Sequence, residues 1–230
     1  MNIGIILAAG SGQRTGLKLP KQFVLINEKP LITFSLDTFE KNKLIDKIFI
    51  VTSPDYKPYI STIFEKFHYK KLVSILDGSS SRQGSVKNAV FFLKTYAKPE
   101  DIIAIHDSAR PYIDDKTLTD CISCASKTGA SCAYQNASDT IAVKNDGEII
   151  KYLDRNAIAM LQTPQCFKYD IILKAHENAE NLTATDDTSL VLQLGKKVSL
   201  VLSNNENQKI TTFEDLQHFK NFIDMGKTSF

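Results

Sequence analysis

Residues 3–16 read IGIILAAGSGQRTG. The first part of this stretch is an apolar run, typical of a strand that is buried on both faces of a parallel sheet. A glycine-rich turn follows it, and in α/β sheets the turn after the first strand lies at the carboxyl edge, where ligands bind. The third glycine comes one residue too late for the dinucleotide-binding fingerprint, and the P-loop lysine is absent. The stretch therefore indicates a phosphate-binding loop of another kind.

Apolar runs of strand length recur along the chain and alternate with helical patterns. The predicted strands are Ile3–Leu7, Lys47–Val51, Val73–Leu76, Ile102–Ile105, Ala130–Tyr134 and Val198–Leu202. The predicted helices are Leu31–Phe39, Tyr56–Phe67, Gln83–Tyr96, Lys116–Ser126 and Ile171–Ala179. This alternation predicts an α/β fold with a doubly wound, mostly parallel nucleotide-binding sheet and helices on both faces. Because the sequence contains no internal repeat or linker, we expect residues 1–230 to form one domain.

A pattern of period two interrupts this alternation between residues 139 and 152. Apolar and polar residues alternate on both sides of Asp146-Gly147, a dipeptide typical of a tight hairpin turn. We predict a β-arm at about residues 137–155 that projects from the sheet. The arm is either a solvated hairpin or a clamp for a dimer, since an isolated two-stranded hairpin is only marginally stable.

The composition excludes several classes of protein. Lys and Arg number 28 against 26 Asp and Glu, and this net charge of +2 is too balanced for a nucleic-acid-binding protein. No apolar run approaches the roughly 20 residues that span a bilayer, and the first residues do not resemble a signal peptide. We therefore expect a cytoplasmic protein with no nucleic-acid or membrane partner and with free thiols. Cys121 and Cys124 form a C-x-x-C pair within a helical pattern, which we interpret as core packing.

Two cations accompany the glycine-rich loop. Arg14 lies within the loop, and Lys21 follows Pro20, whose ring restricts the backbone there. This pair suits a triphosphate and the charge that builds up on a phosphorus atom under attack. The alternative is a surface turn with solvated cations.

Two further strand ends carry polar residues. Residues 77–86 read DGSSSRQGSV, and their hydroxyl and amide groups before a helix either bind an anion or base or only cap the helix. Residues 106–111 read HDSARP. The Asp107 carboxylate either pairs with Arg110 or holds a divalent cation, since Mg²⁺ commonly takes one or two carboxylates together with substrate phosphates. We interpret His106 as a hydrogen-bonded structural residue.

Other polar strings have ordinary interpretations when each is taken alone. Asp154-Arg155 can form a surface ion pair, Thr163-Pro164 can form a turn, and Asp186-Asp187 can complement the start of a helix. The order of these strings along the chain is more informative than any one of them.

The ordered strings resemble those of the polyol-phosphate cytidylyltransferase family, from about Ile3 to Leu216. The matching strings are Ala8-Ala9-Gly10-x-Gly12-x-Arg14, Pro20-Lys21-Gln22-Phe23, Arg82-x-x-Ser85-Val86, His106-Asp107-x-Ala109-Arg110-Pro111, Asp139-Thr140-Ile141, Asp154-Arg155, Gln162-Thr163-Pro164-Gln165-x-Phe167, Thr185-Asp186-Asp187 and Lys209-Ile210-Thr211. The family resemblance implies a homodimer locked by the arm. It also implies transfer of a cytidylyl group from CTP to a polyol phosphate, with release of pyrophosphate.

The resemblance further implies which acceptor is used. The expected acceptor is 2-C-methyl-D-erythritol 4-phosphate, an intermediate of isoprenoid precursor synthesis by the non-mevalonate pathway. Asp154-Arg155 and Thr185-Asp186-Asp187 favour this branch of the family. The alternative acceptor is D-ribitol 5-phosphate, for wall or capsule polymers. A lesser alternative is a CTP-binding module without catalysis.

Roles for individual residues also follow from the resemblance. Arg14 and Lys21 would be the catalytic residues, because they would stabilise the pentacoordinate phosphorus. The residues that would bind the nucleotide are Ala8, Ala9, Gly10, Gly12, Gly78, Ser79, Arg82, Ser85 and Asp107, and Asp107 would also hold Mg²⁺ or another divalent cation. The residues that would bind the acceptor are Arg110, Thr140, Arg155, Thr185 and Lys209, with the arm reaching the site within one chain or across the dimer.

Three positions depart from the family pattern. Thr15 stands where methionine is usual, and Ser79 stands where a second glycine is common. Ser203 lies in a segment where a glycine usually precedes the lysine string. Ser79 adds a side chain beside an expected backbone contact to the base, and the change at Ser203 concerns the acceptor pocket.

Overall fold

The computed structural model describes residues 1–10, 19–179 and 184–226. Its centre is a seven-stranded sheet with the strand order β11-β7-β10-β6-β1-β4-β5. The strands of this sheet are β1 (Asn2–Ala8), β4 (Lys47–Thr52), β5 (Leu72–Asp77), β6 (Ile102–Asp107), β7 (Ala130–Asn136), β10 (Ala159–Lys168) and β11 (Ser199–Leu202). Two short strands, β2 (Leu25–Ile26) and β3 (Lys29–Pro30), pair separately. Gly12, Arg14 and Thr15 lie outside the described residues.

The predicted mostly parallel sheet is confirmed. β1 pairs in parallel with β4 and β6, β4 pairs in parallel with β5, and β7 pairs in parallel with β11. The predicted strands Ile3–Leu7, Lys47–Val51 and Ile102–Ile105, whose residues are nearly all apolar, form β1, β4 and β6. These strands lie in the middle of the sheet and are almost completely buried. The carboxyl ends of these central strands therefore meet at one edge.

β10 is the antiparallel strand between β6 and β7, and the sequence analysis did not predict it. Thr163-Pro164, for which a turn was one interpretation, lies inside this strand. The pairing with β7 shifts register between Leu161 and Gln165. Because proline has no N–H to donate, it is accommodated where the hydrogen-bond ladder is interrupted.

Helices cover both faces of the sheet, as predicted. The helices are α1 (Leu31–Lys41), α2 (Lys57–Phe67), α3 (Arg82–Phe92), α4 (Asp115–Thr128), α5 (Tyr169–Glu177), α6 (Asp187–Gln193) and α7 (Phe213–Asp224). The first, second and fourth pack on one face, and α3, α5 and α6 pack on the other. α7 packs on a smaller cluster that contains Ile26, Leu31 and Ile210. α6 and α7 are not among the helices predicted from the sequence.

The predicted arm is also confirmed as a hairpin. β8 (Ile141–Asn145) and β9 (Glu148–Leu153) form a separate antiparallel pair. Asp146 and Gly147 at the turn have φ angles of 47° and 86°. Both lie in the left-handed region, as a two-residue turn of type I′ requires. The two hairpin strands are not part of the central sheet.

The cysteines are free thiols, and Cys121 and Cys124 both lie in α4. Cys121 is completely buried, in agreement with a packing role. Among the described residues, no helix combines the length and the apolar character that crossing a membrane requires.

Candidate functional site

A cavity of about 500 Å³ lies at the carboxyl edge of β1 and β6. Its walls come from the ends of both strands, the start of α3 and the segment before α7. The lining residues are Leu7, Ala9, Gly10, Lys21, Gln22, Ser79, Ser80, Ser81, Arg82, Ser85, Asp107, Ser108, Ala109, Lys209 and Thr211. This edge is where an open α/β sheet binds its ligands.

A short 3₁₀ helix, Lys21–Phe23, forms one wall of the cavity. Gln22 is buried, and its Nε2 donates to the carbonyls of Ala8 at 2.7 Å and Gly10 at 2.9 Å. Lys21 Nζ donates to the Ile210 carbonyl at 2.6 Å. These contacts hold the predicted catalytic lysine beside the end of β1, with Ala8 directly behind the cavity wall.

The serine loop, residues 78–81, forms the opposite wall. Ser81 caps α3, because its Oγ accepts from the Gly84 N–H at 3.0 Å. Ser85 Oγ accepts from the Ser79 N–H at 2.9 Å. Gly78 itself does not line the cavity but packs behind it, where an added Cβ would lie 2.5 Å from Ala9 Cβ. The loop is therefore both a helix cap and part of the cavity wall.

Ser79 lies against Gly84 on α3. A Cβ added to Gly84 would lie 2.6 Å from Ser79 Oγ and 2.9 Å from Ser79 Cβ. The Ser79 side chain, which departs from the family pattern, therefore occupies space that is open because Gly84 has no side chain.

Asp107 is the acidic residue of the cavity lining. Its Oδ1 accepts from Arg82 Nε at 3.2 Å, and its Oδ2 accepts from Lys209 Nζ at 2.6 Å. Burial opposes ionisation of this carboxyl group, but the two cations outweigh it and hold the pKa of Asp107 well below its usual range. Pairing with Arg110 was one of the two alternatives for Asp107, and in the structure its ion-pair partners are Arg82 and Lys209 instead.

A second carboxylate lies behind Arg82. Arg82 Nη1 donates to Asp187 Oδ2 at 2.7 Å, and His176 Nε2 lies 3.2 Å from Asp187 Oδ1. Both His176 and Asp187 are completely buried. Burial alone would raise the pKa of Asp187, but Arg82 and the hydrogen bond from His176 lower it. Burial likewise disfavours the charged form of Arg82, and the two carboxylates more than compensate, so its pKa is raised.

His106 is a structural residue, as interpreted from the sequence. Its Nε2 lies 3.1 Å from the Arg110 carbonyl, which only accepts, so Nε2 carries the proton. Its Nδ1 therefore accepts from the Thr163 hydroxyl at 3.1 Å. Thr163 in turn accepts from the Asp107 N–H. Burial lowers the pKa of His106 to about 4, so the ring is neutral near pH 7.

The predicted acceptor-binding residues do not lie together. Lys209 lines the cavity, whereas Arg110 lies outside the lining and donates from Nη1 to the Asn207 carbonyl at 2.9 Å. Thr140, Arg155 and Thr185 are exposed. Arg155 donates from Nη1 to the Ser138 carbonyl at 2.9 Å. Within this chain, the arm is therefore separate from the cavity lining.

Ser203 has a structural role instead of a place in the cavity lining. Its Oγ lies 2.7 Å from Gln162 Oε1, to which it donates. Gln162 Oε1 also accepts from Asn207 Nδ2 at 3.0 Å. The serine thus ties the segment after β11 to β10.

A metal ion at this site would rest mainly on Asp107. The described residues contain no group of three or more His, Cys, Asp or Glu side chains that could hold a metal. Each Asp107 oxygen accepts one of the two hydrogen bonds from Arg82 and Lys209, and an ionised carboxylate has about four acceptor sites. The site therefore fits a cation such as Mg²⁺ that is held by one carboxylate and by substrate phosphates.

The sequence analysis assigned no role to several residues of this site. Ser80 and Ser81 were considered only within the string of residues 77–86, which was expected to bind an anion or base or to cap the helix. Gln22 was considered only within the Pro20–Phe23 string. All three line the cavity. Asp187 was considered only as a helix-start residue, a role that Asp186 fills by accepting from the Ser189 N–H. His176 lies in an ordinary helical pattern that carries no signal for its contact with Asp187.

Comparison with known proteins gives consistent matches. A family model described as "IspD: 2-C-methyl-D-erythritol 4-phosphate cytidylyltransferase" matches residues 3–224. A protein named 2-C-methyl-D-erythritol 4-phosphate cytidylyltransferase from Clostridium acetobutylicum is 42% identical over 220 residues, which is 94% of each chain. A protein of the same name from Bacillus cereus is 35% identical over 225 residues, covering 97% of this chain and 98% of the relative.

Solved structures agree with the sequence matches. The structure of 4-diphosphocytidyl-2C-methyl-D-erythritol synthase from Anaerococcus prevotii superposes with a TM-score of 0.83 at 26% identity, covering 97% of this chain and 96% of the other. That of 2-C-methyl-D-erythritol 4-phosphate cytidylyltransferase from Francisella tularensis gives a TM-score of 0.79 at 28% identity, covering 95% and 97%.

Proposed function

The chain belongs to the 2-C-methyl-D-erythritol 4-phosphate cytidylyltransferase family, and we propose that the cavity at the carboxyl edge of β1 and β6 is where it carries out the family's reaction. The protein transfers the cytidylyl group of CTP to 2-C-methyl-D-erythritol 4-phosphate and releases pyrophosphate, a step of the non-mevalonate isoprenoid pathway. The observation that carries the assignment of the site is the convergence of Lys21, Arg82, Lys209 and Asp107 on one cavity.

The reaction is an in-line displacement at the α-phosphorus of CTP. A phosphate oxygen of the acceptor attacks the α-phosphorus, and the bond to the leaving pyrophosphate breaks. The attacking group is already an anion near neutral pH, so no general base is required. The task of the protein is to align two polyanions and to offset their mutual repulsion, which is positioning and electrostatic stabilisation.

The cations of the cavity supply this stabilisation. Lys21 is proposed to contact the pentacoordinate phosphorus, together with Arg14, because its ammonium group is fixed at the cavity wall through the Ile210 carbonyl. Arg82 and Lys209 are proposed to contact the CTP and acceptor phosphates, respectively. The turn at Ala8–Gly12 and the serine loop with Ser85 are proposed to hold the cytidine and its phosphates.

Mg²⁺ or another divalent cation is the proposed cofactor, with Asp107 as its protein ligand. Such an ion would neutralise part of the triphosphate charge when bound. The free lone pairs of Asp107 at the cavity support this role. Arg82 and Lys209 keep the carboxylate ionised at neutral pH, which is the form that binds a metal.

A homodimer is proposed because the arm is incomplete by itself. Ile149, Ile150 and Tyr152 are 62%, 58% and 67% exposed, which is unfavourable for a lone hairpin. A second copy that packs on the arm would cover these side chains. It would also bring Thr140 and Arg155 to the cavity of its partner, where they would bind the acceptor phosphate together with Lys209, Arg110 and Thr185. The free thiols support a reducing compartment, and we propose the cytoplasm.

The experiment that tests this function is pyrophosphate release from CTP and Mg²⁺, run in parallel with 2-C-methyl-D-erythritol 4-phosphate and D-ribitol 5-phosphate. We expect a strong preference for the first acceptor. A preference for ribitol phosphate would reassign the acceptor roles of Arg155 and Thr185. Binding of CTP without release of pyrophosphate with either acceptor would instead favour a non-catalytic module.

A further inference from the structure

Arg82 is held between two carboxylates that face it from different sides. Its Nε donates to Asp107 in the cavity, and its Nη1 donates to Asp187 beneath the surface. A guanidinium group has five N–H donors. Within the part of the chain that the structure describes, Arg82 uses only these two, and its side chain lines the cavity. The other donors are therefore available to an anion that enters the cavity.

His176 determines how Asp187 can pair. Asp187 Oδ2 accepts from Arg82, and Oδ1 lies 3.2 Å from His176 Nε2. An ionised carboxylate only accepts hydrogen bonds, so the His176 ring must donate its Nε2–H. The ring is completely buried, and its Nδ1 has no hydrogen-bond partner among the described residues. The polar contact of His176 is thus made to Asp187 alone.

Because His176 occupies Oδ1 of Asp187, Arg82 pairs with only one oxygen of this carboxylate. Arginine and a carboxylate favour a bidentate pair, in which two N–H groups meet both carboxylate oxygens. If Oδ1 of Asp187 were free, Arg82 would gain by turning toward Asp187 and withdrawing its Nε from Asp107. With Oδ1 occupied by His176, Arg82 pairs with Asp187 through one oxygen and remains within reach of the cavity.

We propose that His176 and Asp187 are positioning residues that hold the Arg82 guanidinium at the cavity for the phosphates of CTP. This inference rests on the proposed function, in which Arg82 contacts the nucleotide. His176 acts through Asp187 and touches no substrate. His176 would therefore affect the affinity for CTP, without affecting the affinity for the acceptor or the rate of the chemical step.

A purely structural role for this cluster would give a different result. The same contacts join α3, α5 and α6, so any substitution here also affects stability. Loss of stability alone lowers the amount of folded enzyme and leaves the Michaelis constants of the folded fraction unchanged. Selective weakening of CTP binding is therefore the informative measurement.

The test uses the full chain with three substitutions in α5. His176→Leu removes the donor to Asp187, and His176→Gln keeps an N–H that can reach it. Ile172→Ala is the matched control, since Ile172 is equally buried in the same helix but packs in the apolar core. The KM for CTP, the KM for 2-C-methyl-D-erythritol 4-phosphate and kcat are measured by pyrophosphate release, and CTP affinity is measured by calorimetry without acceptor.

We expect His176→Leu to raise both the KM and the Kd of CTP on the order of tenfold, as for the loss of a hydrogen bond to a charged group. The acceptor KM and kcat should stay within about twofold, the signature of a lost ground-state contact. His176→Gln should restore most of the CTP affinity. Ile172→Ala should lower the melting temperature and leave both Michaelis constants unchanged.

Three results would overturn the inference. These are an unchanged CTP affinity in folded His176→Leu, an equal rise of both Michaelis constants, or a Gln variant no better than the Leu variant. The wild-type protein provides a further check that does not depend on any variant folding. Its ¹⁵N–¹H correlation spectrum should show a proton on Nε2 of His176, and a ring protonated on Nδ1 alone would contradict the geometry. If the wild-type protein released no pyrophosphate, the proposed function would fail, while the calorimetric comparison would still test the positioning role.

Discussion

The cavity and the arm both carry residues that are proposed for the same reaction. Most charged residues at the cavity are buried or half-buried and paired with each other, whereas the residues on the arm are exposed. Around the cavity, Asp107 and Asp187 are buried and each pairs with Arg82. On the arm, Thr140 and Arg155 are exposed, and the hairpin strands pair only with each other. Folding of a single chain fixes the charges of the cavity in place. Among the described residues, no strand of another element pairs with the arm.

The two regions are proposed to bind different substrates, CTP at the cavity and the acceptor with the help of the arm. A nucleotide site that consists of buried, mutually paired charges is preorganised, so little rearrangement is needed when CTP arrives. The proposed acceptor site includes residues of an exposed hairpin, so a second copy of the chain would be needed to complete it. Changes near the cavity should therefore act on CTP binding, the chemical step or stability, and changes in the arm should act on the acceptor.

The largest effect is expected at Lys21. Lys21→Ala should lower kcat by about 100- to 1,000-fold, because a preorganised charge at the transition state is lost. CTP affinity should change much less, since this contact strengthens as the phosphorus becomes pentacoordinate. Single-turnover kinetics and calorimetry measure the two quantities. Lys29→Ala is a control for general loss of charge, since Lys29 is a half-exposed lysine paired with Asp37. Near-normal turnover of Lys21→Ala would remove Lys21 from the transition state.

The next effect concerns stability beneath the cavity. His106 has a pKa of about 4 in the folded protein, below the roughly 6.5 of an unfolded chain. Below about pH 6.5 the unfolded chain binds a proton that the folded protein does not, so stability that is present at pH 7 is lost as the pH falls toward 4. Protonation of His106 in the unfolded chain should lower the free energy of unfolding by about 2 kcal/mol between pH 7 and pH 5.

Urea titrations of the wild type and of His106→Gln at pH 7 and pH 5 check this expectation. The glutamine variant should lose less stability than the wild type over the same interval, because the other titrating groups are common to both proteins. An equal loss in both proteins would show that His106 is not responsible.

Arg155 should affect the acceptor alone. Arg155→Ala should raise the KM for 2-C-methyl-D-erythritol 4-phosphate on the order of tenfold, because a charged hydrogen bond to phosphate is lost. The KM for CTP should stay nearly unchanged. Steady-state kinetics with each substrate varied in turn provide the measurement. A large rise for CTP alone would place Arg155 at the other substrate.

A mixed dimer tests whether the arm serves the partner's cavity. Co-expressed Arg155→Ala and Lys21→Ala chains would give dimers of which half contain both chains. In each such dimer, one cavity would have an intact lysine and receive an intact arm, so about a quarter of the wild-type activity should return when the acceptor concentration is well below its KM. If the arm served its own chain, every cavity would carry one lesion and the activity would not exceed that of the separate variants.

The smallest effect is expected at the turn of the arm. Gly147 has a φ of 86°, and an alanine there should cost about 1 kcal/mol of local stability. Gly147→Ala should raise the acceptor KM by about two- to threefold through fraying of the hairpin, and it should leave CTP binding unchanged. Gly226→Ala is the matched control, since Gly226 has a φ of 72° and open space but lies after α7. Equal effects of the two variants on the acceptor KM would argue against a role of the arm.

Local patterns predicted the parts of the fold that depend on local physics. Continuous apolar runs predicted β1, β4 and β6, since a strand that is buried on both faces needs apolar side chains on both. Asp146-Gly147 predicted the hairpin, because both residues tolerate positive φ. β10 was missed because Pro164 suggests a turn, whereas the interrupted pairing with β7 accommodates it.

The candidate site, like the fold, was predictable from the sequence only in part. The glycine-rich turn and the polar strings at strand ends pointed to the cavity, because the carboxyl ends of parallel strands meet at one edge. The pairing within the cavity was not predictable from these strings. Asp107 was expected either to pair with its neighbour Arg110 or to hold a divalent cation. In the structure it pairs with Arg82 from α3 and with Lys209 from the segment before α7.

The sequence by itself determined most of the strands and helices of the fold, the hairpin and the types of residue available for phosphate chemistry. Apolar periodicity, turn residues and side-chain charge act over a few neighbouring residues, so they can be read along the chain. Only the tertiary structure decided that His176 meets Asp187, that Asp187 shares Arg82 with Asp107, and that the arm stays apart from the cavity. These contacts join residues far apart in sequence, and buried ion pairs form only where the fold brings partners together and removes water.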